Sequence, residues 1–105
     1  MMDIKQESRG DWCIVALSGR ADATASERLE EALVTAVAMS SKVAVDFSAL
    51  DYISSASLRS ILQGARAAQE RQVEFVICSP KPSTKTVLDV SGMQHIVKIT
   101  ETLPC

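Results

Sequence analysis

Three serine hydroxyls stand within four residues, at Ser54, Ser55 and Ser57, directly before an apolar pattern with helical spacing. A serine at a helix start commonly accepts a hydrogen bond from a backbone N–H that has no partner within the helix. Capping explains one of the three serines and leaves two hydroxyls for another use. The free N–H groups and the helix dipole can hold a phosphate there, which adds about −1.5 to −2 charges. The cluster therefore favours a phosphorylation switch over a purely structural cap.

Charged side chains are expected around this serine cluster. Asp22 follows one predicted strand, and Asp46 ends the next strand along the chain. Loops that follow parallel strands gather at one edge of the sheet, so both carboxylates are expected near Ser55. The alternative for each is a solvated loop acid or a turn former. Arg59 and Arg66 fall on the polar side of the serine helix, either as partner contacts or as solvated side chains.

The remaining reactive side chains do not form the patterns that catalysis or metal binding requires. Cys13, Cys78 and Cys105 are far apart in sequence, and His95 is the only histidine. We expect Cys13 and Cys78 to be small core residues and Cys105 to be a tail thiol. Metal ligands, a Ser-His-Asp triad and a glycine-rich phosphate loop all lack the necessary residues or spacing. We therefore expect no enzyme activity, no cofactor and no metal.

Length and charge limit the remaining classes of protein. The 105 residues, 47% apolar and 23% charged, suit one domain spanning residues 1–105 with one core. A net charge of −2 without a basic stripe argues against a nucleic-acid partner. No apolar run approaches the ~20 residues that cross a bilayer, and the polar start of the chain lacks a signal-peptide core. We expect a cytoplasmic protein without membrane contact.

Strand and helix patterns alternate along the chain and predict an α/β fold. Strands are predicted at residues 4–9, 12–17, 43–47, 73–78 and 96–99. Gly19 is expected to end the second strand, Thr24 and Glu27 to form a capping box, and residues 48–53 to form a loop. Further helices are predicted from the serine cluster and near residue 87. No secondary structure is predicted for the tail after residue 100. The order ββαβαβαβ indicates a mixed, mostly parallel sheet with three to four α-helices packed on it.

Two segments of the chain resemble the STAS domain family. Residues 17–25 are similar to the strand–loop–helix pattern L-x-G-x-L-D-x-x-T-A, with Ala21 where leucine is usual and the threonine one place early. Residues 45–58 resemble the strand–loop–helix segment around the regulatory serine of that family. The resemblance covers nearly the whole chain and implies a single STAS domain. It also matches Asp22 to the aspartate that the family places near that serine.

The resemblance implies an anti-sigma factor antagonist that works by partner switching. Such a protein binds an anti-sigma factor that is also a serine kinase, of the histidine-kinase-like ATPase type. The kinase phosphorylates the antagonist and releases it, and a PP2C-type serine phosphatase restores binding. The output is a sigma factor or an equivalent system, and we expect the free antagonist to be a monomer.

The serine that accepts the phosphate is a point where family patterns differ. Many members carry D-S-S-G-L, and an alignment on Leu58 puts Ala56 at the position of their phosphorylated serine. Another branch carries I-S-S-A-G-L and is phosphorylated on the serine before the alanine. This chain matches that branch, with Ser57 in place of the glycine. The predicted acceptor is therefore Ser55, with Ser57 as second choice and Ser54 as third.

Two other functions compete with the switch: a STAS scaffold that is not phosphorylated and a sensor of a small ligand or nucleotide. Ala56 and Ser57, which depart from the family's serine motif, are compatible with the scaffold function. For the leading function, the predicted partner-binding residues are Asp22, Ser54, Ser55, Ala56, Ser57 and Arg59.

Overall fold

Five strands and three α-helices alternate along residues 2–104, the part of the chain that the computed structural model describes. The strands are β1 (Met2–Arg9), β2 (Trp12–Ala21), β3 (Lys42–Ile53), β4 (Glu74–Cys78) and β5 (Lys98–Thr100). The helices are α1 (Ser26–Met39), α2 (Ser55–Arg71) and α3 (Pro82–Ser91), with short 3₁₀ turns at Ala23–Ala25 and Met93–His95. The order confirms the predicted α/β fold class.

The strands form one sheet in the order β1-β2-β3-β4-β5. β1 runs antiparallel to β2, and all other neighbours are parallel. Each crossover between parallel strands moves one strand further in the same direction. Because such crossovers are right-handed, they place α1, α2 and α3 on the same face of the sheet. Within residues 2–104, none of the helices has the length and apolar character needed to cross a membrane.

The core lies between the helices and the sheet. Its largest buried side chains include Leu17, Phe47, Leu29, Leu33, Ile61 and Leu88. A smaller group, here called the far-face cluster, lies on the opposite face and consists of Trp12, Ile14, Ala44, Val76 and Cys78. The half-buried Leu103 packs against the far-face cluster. Cys13 packs against the main core, and Cys105 lies outside the described residues.

β3 is much longer than the predicted strand, and the predicted loop at residues 48–53 is wrong. Two register shifts against β2 each add one residue to β3. A β-bulge of this kind displaces the alternation of side chains by one position. Phe47, Leu50 and Ile53 are therefore all buried although they are three residues apart.

The same irregularities overturn two expectations about single residues. Gly19 lies inside β2 with a φ of +85°, so it bends the strand at the second register shift and does not end it. Asp46 lies in the middle of β3. Its Oδ1 accepts a hydrogen bond of 2.9 Å from the backbone N–H of Ser48. Asp46 therefore stabilises a bulge and does not stand beside the serine cluster.

Several element ends differ from the expected ones by a few residues. α3 begins at Pro82, whose fixed φ suits the first helical position, and it ends at Ser91, with Gly92 as its C-cap at a φ of +78°. α2 ends at Arg71 with Gln72 as its left-handed C-cap, and β4 begins two residues later, at Glu74. β5 begins at Lys98, after the second 3₁₀ turn.

α1 and α2 approach each other closely at Gly64. A Cβ atom at Gly64 would lie 2.9 Å from the Cβ of Leu33 and 3.4 Å from the ring of Phe75. The absence of a side chain lets α2 lie against both α1 and the sheet at this point.

Candidate functional site

The serine cluster lies where β3 passes directly into α2. Ile53 is the last residue of β3, Ser54 is the N-cap with an extended backbone, and Ser55 is the first helical residue. The backbone N–H of Ser54 donates a hydrogen bond of 2.8 Å to the carbonyl oxygen of Ala21, at the end of β2. The cluster is therefore fixed to the carboxyl edge of the parallel strands.

The three serines occupy different environments. The hydroxyl oxygen of Ser54 accepts a hydrogen bond of 3.1 Å from the backbone N–H of Ser57 and caps α2. Ser57 is 0% exposed, and its hydroxyl donates a hydrogen bond of 2.9 Å to the backbone carbonyl of Asp22. Ser55 is exposed, and within residues 2–104 its hydroxyl has no hydrogen-bond partner. Of the three serines, Ser55 is the exposed one, and its hydroxyl neither caps the helix nor bonds to a neighbouring loop.

Asp22 lies beside the start of α2, as expected, but its carboxylate is engaged locally. Its Oδ1 accepts hydrogen bonds from the hydroxyl of Thr24 at 2.6 Å and from the backbone N–H of Thr24 at 3.1 Å. The hydroxyl bond is the largest influence and outweighs desolvation, so the pKa of the Asp22 carboxyl lies below its ordinary value. Asp22 remains ionised at neutral pH and places a negative charge near the cluster.

The predicted capping box at Thr24 is wrong because Asp22 takes the capping position. Asp22 is the N-cap of the 3₁₀ turn, and α1 begins only at Ser26. Glu27 lies in the first turn of α1, where its charge suits the helix dipole.

Ala56 and Arg59 continue the site along α2. Ala56 is half-buried in the first turn, whereas Arg59 and Arg66 are exposed, as predicted for the polar side of the helix. Asp22, Ser54, Ser55, Ala56 and Ser57 thus meet at one edge of the sheet, and Arg59 follows one turn further.

A groove beside Ser55 was not predicted from the sequence. It encloses about 240 Å³ between α2 and the second 3₁₀ turn, and Leu62 and Ile96 form part of its wall. A second groove of about 490 Å³ continues along α2 past Arg66 and shares Ile96. Ile96 is 57% exposed. We call the surface formed by Ser55, Arg59, Leu62, Arg66 and Ile96 the α2 surface.

The α2 surface combines apolar contact area with two positive charges. Ser55, Arg59, Leu62 and Arg66 follow one another at spacings of four, three and four residues, which places them on one side of the helix. Ile96 faces them although the sequence pattern assigned it to a strand. The surface suits a partner with apolar and acidic groups.

Arg20 and Tyr52 form a second unpredicted feature near the serines. The guanidinium of Arg20 lies 4.3 Å from the ring centre of Tyr52, in a cation–π contact on neighbouring strands. The sequence did not predict this pair, because residues 48–53 were expected to form a loop and only the longer β3 places Tyr52 opposite Arg20.

Comparisons with known proteins agree on one family. The family model described as the STAS domain matches residues 3–104. A candidate anti-sigma factor antagonist of Bordetella bronchiseptica, BtrV, is 36% identical over 87 residues, which are 82% of this chain and 75% of BtrV.

Solved structures show the same fold at lower sequence identity. An anti-sigma factor antagonist from Mycobacterium paratuberculosis superposes with a TM-score of 0.81 at 21% identity, covering 98% of this chain and 88% of that one. The Bacillus cell fate determinant SpoIIAA in its phosphorylated form gives a TM-score of 0.72 at 18% identity, covering 92% and 90%.

Proposed function

The chain belongs to the STAS domain family, and on this basis we propose that it is an anti-sigma factor antagonist switched by phosphorylation of Ser55. Unphosphorylated, it binds an anti-sigma factor that is also a serine kinase of the histidine-kinase-like ATPase type. Phosphorylation releases it, and a PP2C-type serine phosphatase restores binding. The antagonist is a substrate in this cycle and not a catalyst, and the cycle takes place in the cytoplasm.

The exposure of Ser55 is the observation that carries the choice of acceptor. A kinase has to bring the γ-phosphate of ATP into line with a serine hydroxyl. Ser57 would have to leave the core and give up its bond to the Asp22 carbonyl first. Ser54 would have to give up the cap of α2. Ser55 requires neither change, which supports it over the other two serines.

The position of Ser55 also accounts for release without unfolding. A phosphate at the first turn of α2 faces the positive end of the helix dipole, so the helix tolerates it. The same phosphate adds about −1.5 to −2 charges at the head of the α2 surface. A partner that meets Arg59 with acidic groups is then repelled, and its apolar contacts are opposed by the cost of desolvating the phosphate. Each loss of about 1.4 kcal/mol lowers the affinity tenfold.

The test is phosphorylation and binding by the cognate kinase, with and without ATP. Wild type, Ser55→Ala and Ser55→Asp are compared with Ser83→Ala, which removes another exposed serine from the first turn of a helix. We expect intact mass to show one added phosphate on wild type and Ser83→Ala and none on Ser55→Ala. ATP should release wild type and Ser83→Ala but not Ser55→Ala, and Ser55→Asp should bind at least about tenfold more weakly, the equivalent of 1.4 kcal/mol.

Two results would contradict the proposal. A phosphate on Ser55→Ala would identify another acceptor. Equal binding by all variants with no effect of ATP would instead favour a constitutive STAS scaffold.

A further inference from the structure

β1 is an edge strand whose outer side is open over residues 3–9, whereas Met2 is buried and its carbonyl oxygen accepts a hydrogen bond from the guanidinium of Arg28. Within residues 2–104, β1 pairs only with β2, and the pairing runs from Met2 to Arg9 without a bulge. The strand contains neither proline nor glycine. Open edges of this kind pair with another strand unless a proline, a bulge or suitably placed charges prevent it. β5, at the other edge, has only three residues.

The charges of β1 alternate in sign along one face. Asp3, Lys5, Glu7 and Arg9 are all exposed, and they point to the face opposite the helices because residues two apart share a face. Arg9 also lies near Glu7 of the same strand, with Nε 3.5 Å from Oε1. A run of like charges would repel any second copy of β1. An alternating run does not, and its effect depends on the register.

We propose that β1 pairs antiparallel with β1 of a second copy of this chain, about a two-fold axis at Gln6. In this register Asp3 lies opposite Arg9 of the second copy, and Lys5 lies opposite Glu7. The two-fold axis repeats both pairs, so four opposite-charge pairs form across the seam and none of like charge. Cross-strand neighbours on one face are close enough to interact directly, and an isologous contact of this kind closes as a dimer.

The charge pattern selects this register and rejects its neighbours. A shift in which Lys5 meets Lys5 of the second copy also places Asp3 opposite Glu7. The opposite shift places Glu7 opposite Glu7 and Lys5 opposite Arg9. In either shifted register, all the charge pairs that form across the seam are between like charges. The alternation of charges therefore favours the register centred on Gln6.

The dimer is expected to be weak and sensitive to salt. One strand per copy buries less surface than the roughly 1,200–2,000 Å² of a stable interface, and exposed ion pairs are screened by salt. The inference replaces the expectation of a free monomer. It does not depend on the proposed function, because the seam needs only β1 and the readout is mass and not phosphorylation.

Charge reversal tests the pairing by sedimentation velocity over a concentration series. We expect wild type to dimerise reversibly near ~1 mM in low salt and less in high salt, where the Debye length is shorter. Lys5→Glu/Arg9→Glu and Asp3→Lys/Glu7→Lys should each be monomeric, and an equimolar mixture of the two should recover a heterodimer. The matched control, Arg71→Glu/Lys85→Glu, changes exposed charges away from β1 and should dimerise like wild type. A monomeric wild type, or a mixture that does not associate, would overturn the proposal.

Cross-linking tests the position of the axis. Gln6→Cys places the new thiols of the two copies opposite each other, at a Cα separation of about 4.5–5.5 Å that a disulfide can bridge. Ser8→Cys, on the same face of the strand, places its two thiols four residues apart along the seam, roughly 13 Å. We expect mild oxidation to give a covalent dimer with Gln6→Cys and none above the wild-type background with Ser8→Cys. Equal cross-linking of both variants would exclude the axis at Gln6.

Discussion

At the scale of single residues, Ser54, Ser55 and Ser57 share a side chain but not a role. The sequence predicts that they open a helix, because hydroxyls precede an apolar helical pattern. It does not predict which hydroxyl turns inward. The partner of Ser57 is the backbone carbonyl of Asp22, 35 residues away, and no local pattern records that contact. The resemblance to the family selects Ser55 as the acceptor, and the exposure of Ser55 supports that selection.

Ser57→Ala should lower the free energy of unfolding by about 1–2 kcal/mol. The change removes a buried hydrogen bond and leaves the carbonyl of Asp22 without its side-chain donor. The matched variant Ser55→Ala removes an exposed hydroxyl and should stay within about 0.5 kcal/mol of wild type. Urea unfolding of the three proteins measures both differences. Equal stability of the two variants would contradict the structural role assigned to Ser57.

At the scale of elements, the sequence predicted each strand and helix but not the full length of β3. The apolar residues Phe47, Leu50 and Ile53 are spaced by three, whereas a regular strand buries every second residue. Two bulges cause this spacing, and they arise from pairing with β2, which a single-sequence pattern does not contain. The missing length of β3 affects the description of the site, because β3 leads into Ser54 directly and not through the predicted loop.

Gly64→Ala should destabilise the protein although alanine is the better helix former. Alanine gains up to about 1 kcal/mol of helix propensity. The added Cβ would lie 2.9 Å from the Cβ of Leu33, so α1 and α2 must separate, and overpacking of this kind costs typically 1–3 kcal/mol. We expect a net loss of about 1 kcal/mol in chemical unfolding. Gln69→Ala, on the exposed side of α2, serves as the control, and a stabilised Gly64→Ala would show that the helices adjust freely.

At the scale of the whole molecule, the two faces of the sheet are protected differently. The apolar run in β2 is nearly continuous because residues on both faces of this strand are buried. The helices cover one face, whereas Leu103 packs against the far-face cluster and Lys42 lies over the ring of Trp12, with its Nζ 5.5 Å from the ring centre. The contribution of Leu103 could not be predicted, since one leucine in a short tail has no periodicity.

Leu103→Ala should expose the far-face cluster, which contains Trp12, the only tryptophan. We expect a red shift of the tryptophan emission in the folded state and a loss of roughly 1 kcal/mol in stability, because Leu103 is only half-buried. Thr102→Ala, an exposed neighbour, should change neither. Unchanged emission of Leu103→Ala would show that Leu103 does not shield Trp12.

The direct passage from β3 into α2 bears on how a kinase would recognise this protein. Many serine kinases draw a pliable stretch of polypeptide into a cleft and read the side chains on either side of the acceptor. Here the residues before Ser55 are held in the sheet, and those after it are held in a helix packed against α1. The kinase of our proposal must therefore dock against an assembled shape. A short synthetic peptide with the sequence of this segment would lack that shape and would be a poor substrate. Phosphorylation of Ser55 would therefore require the folded protein.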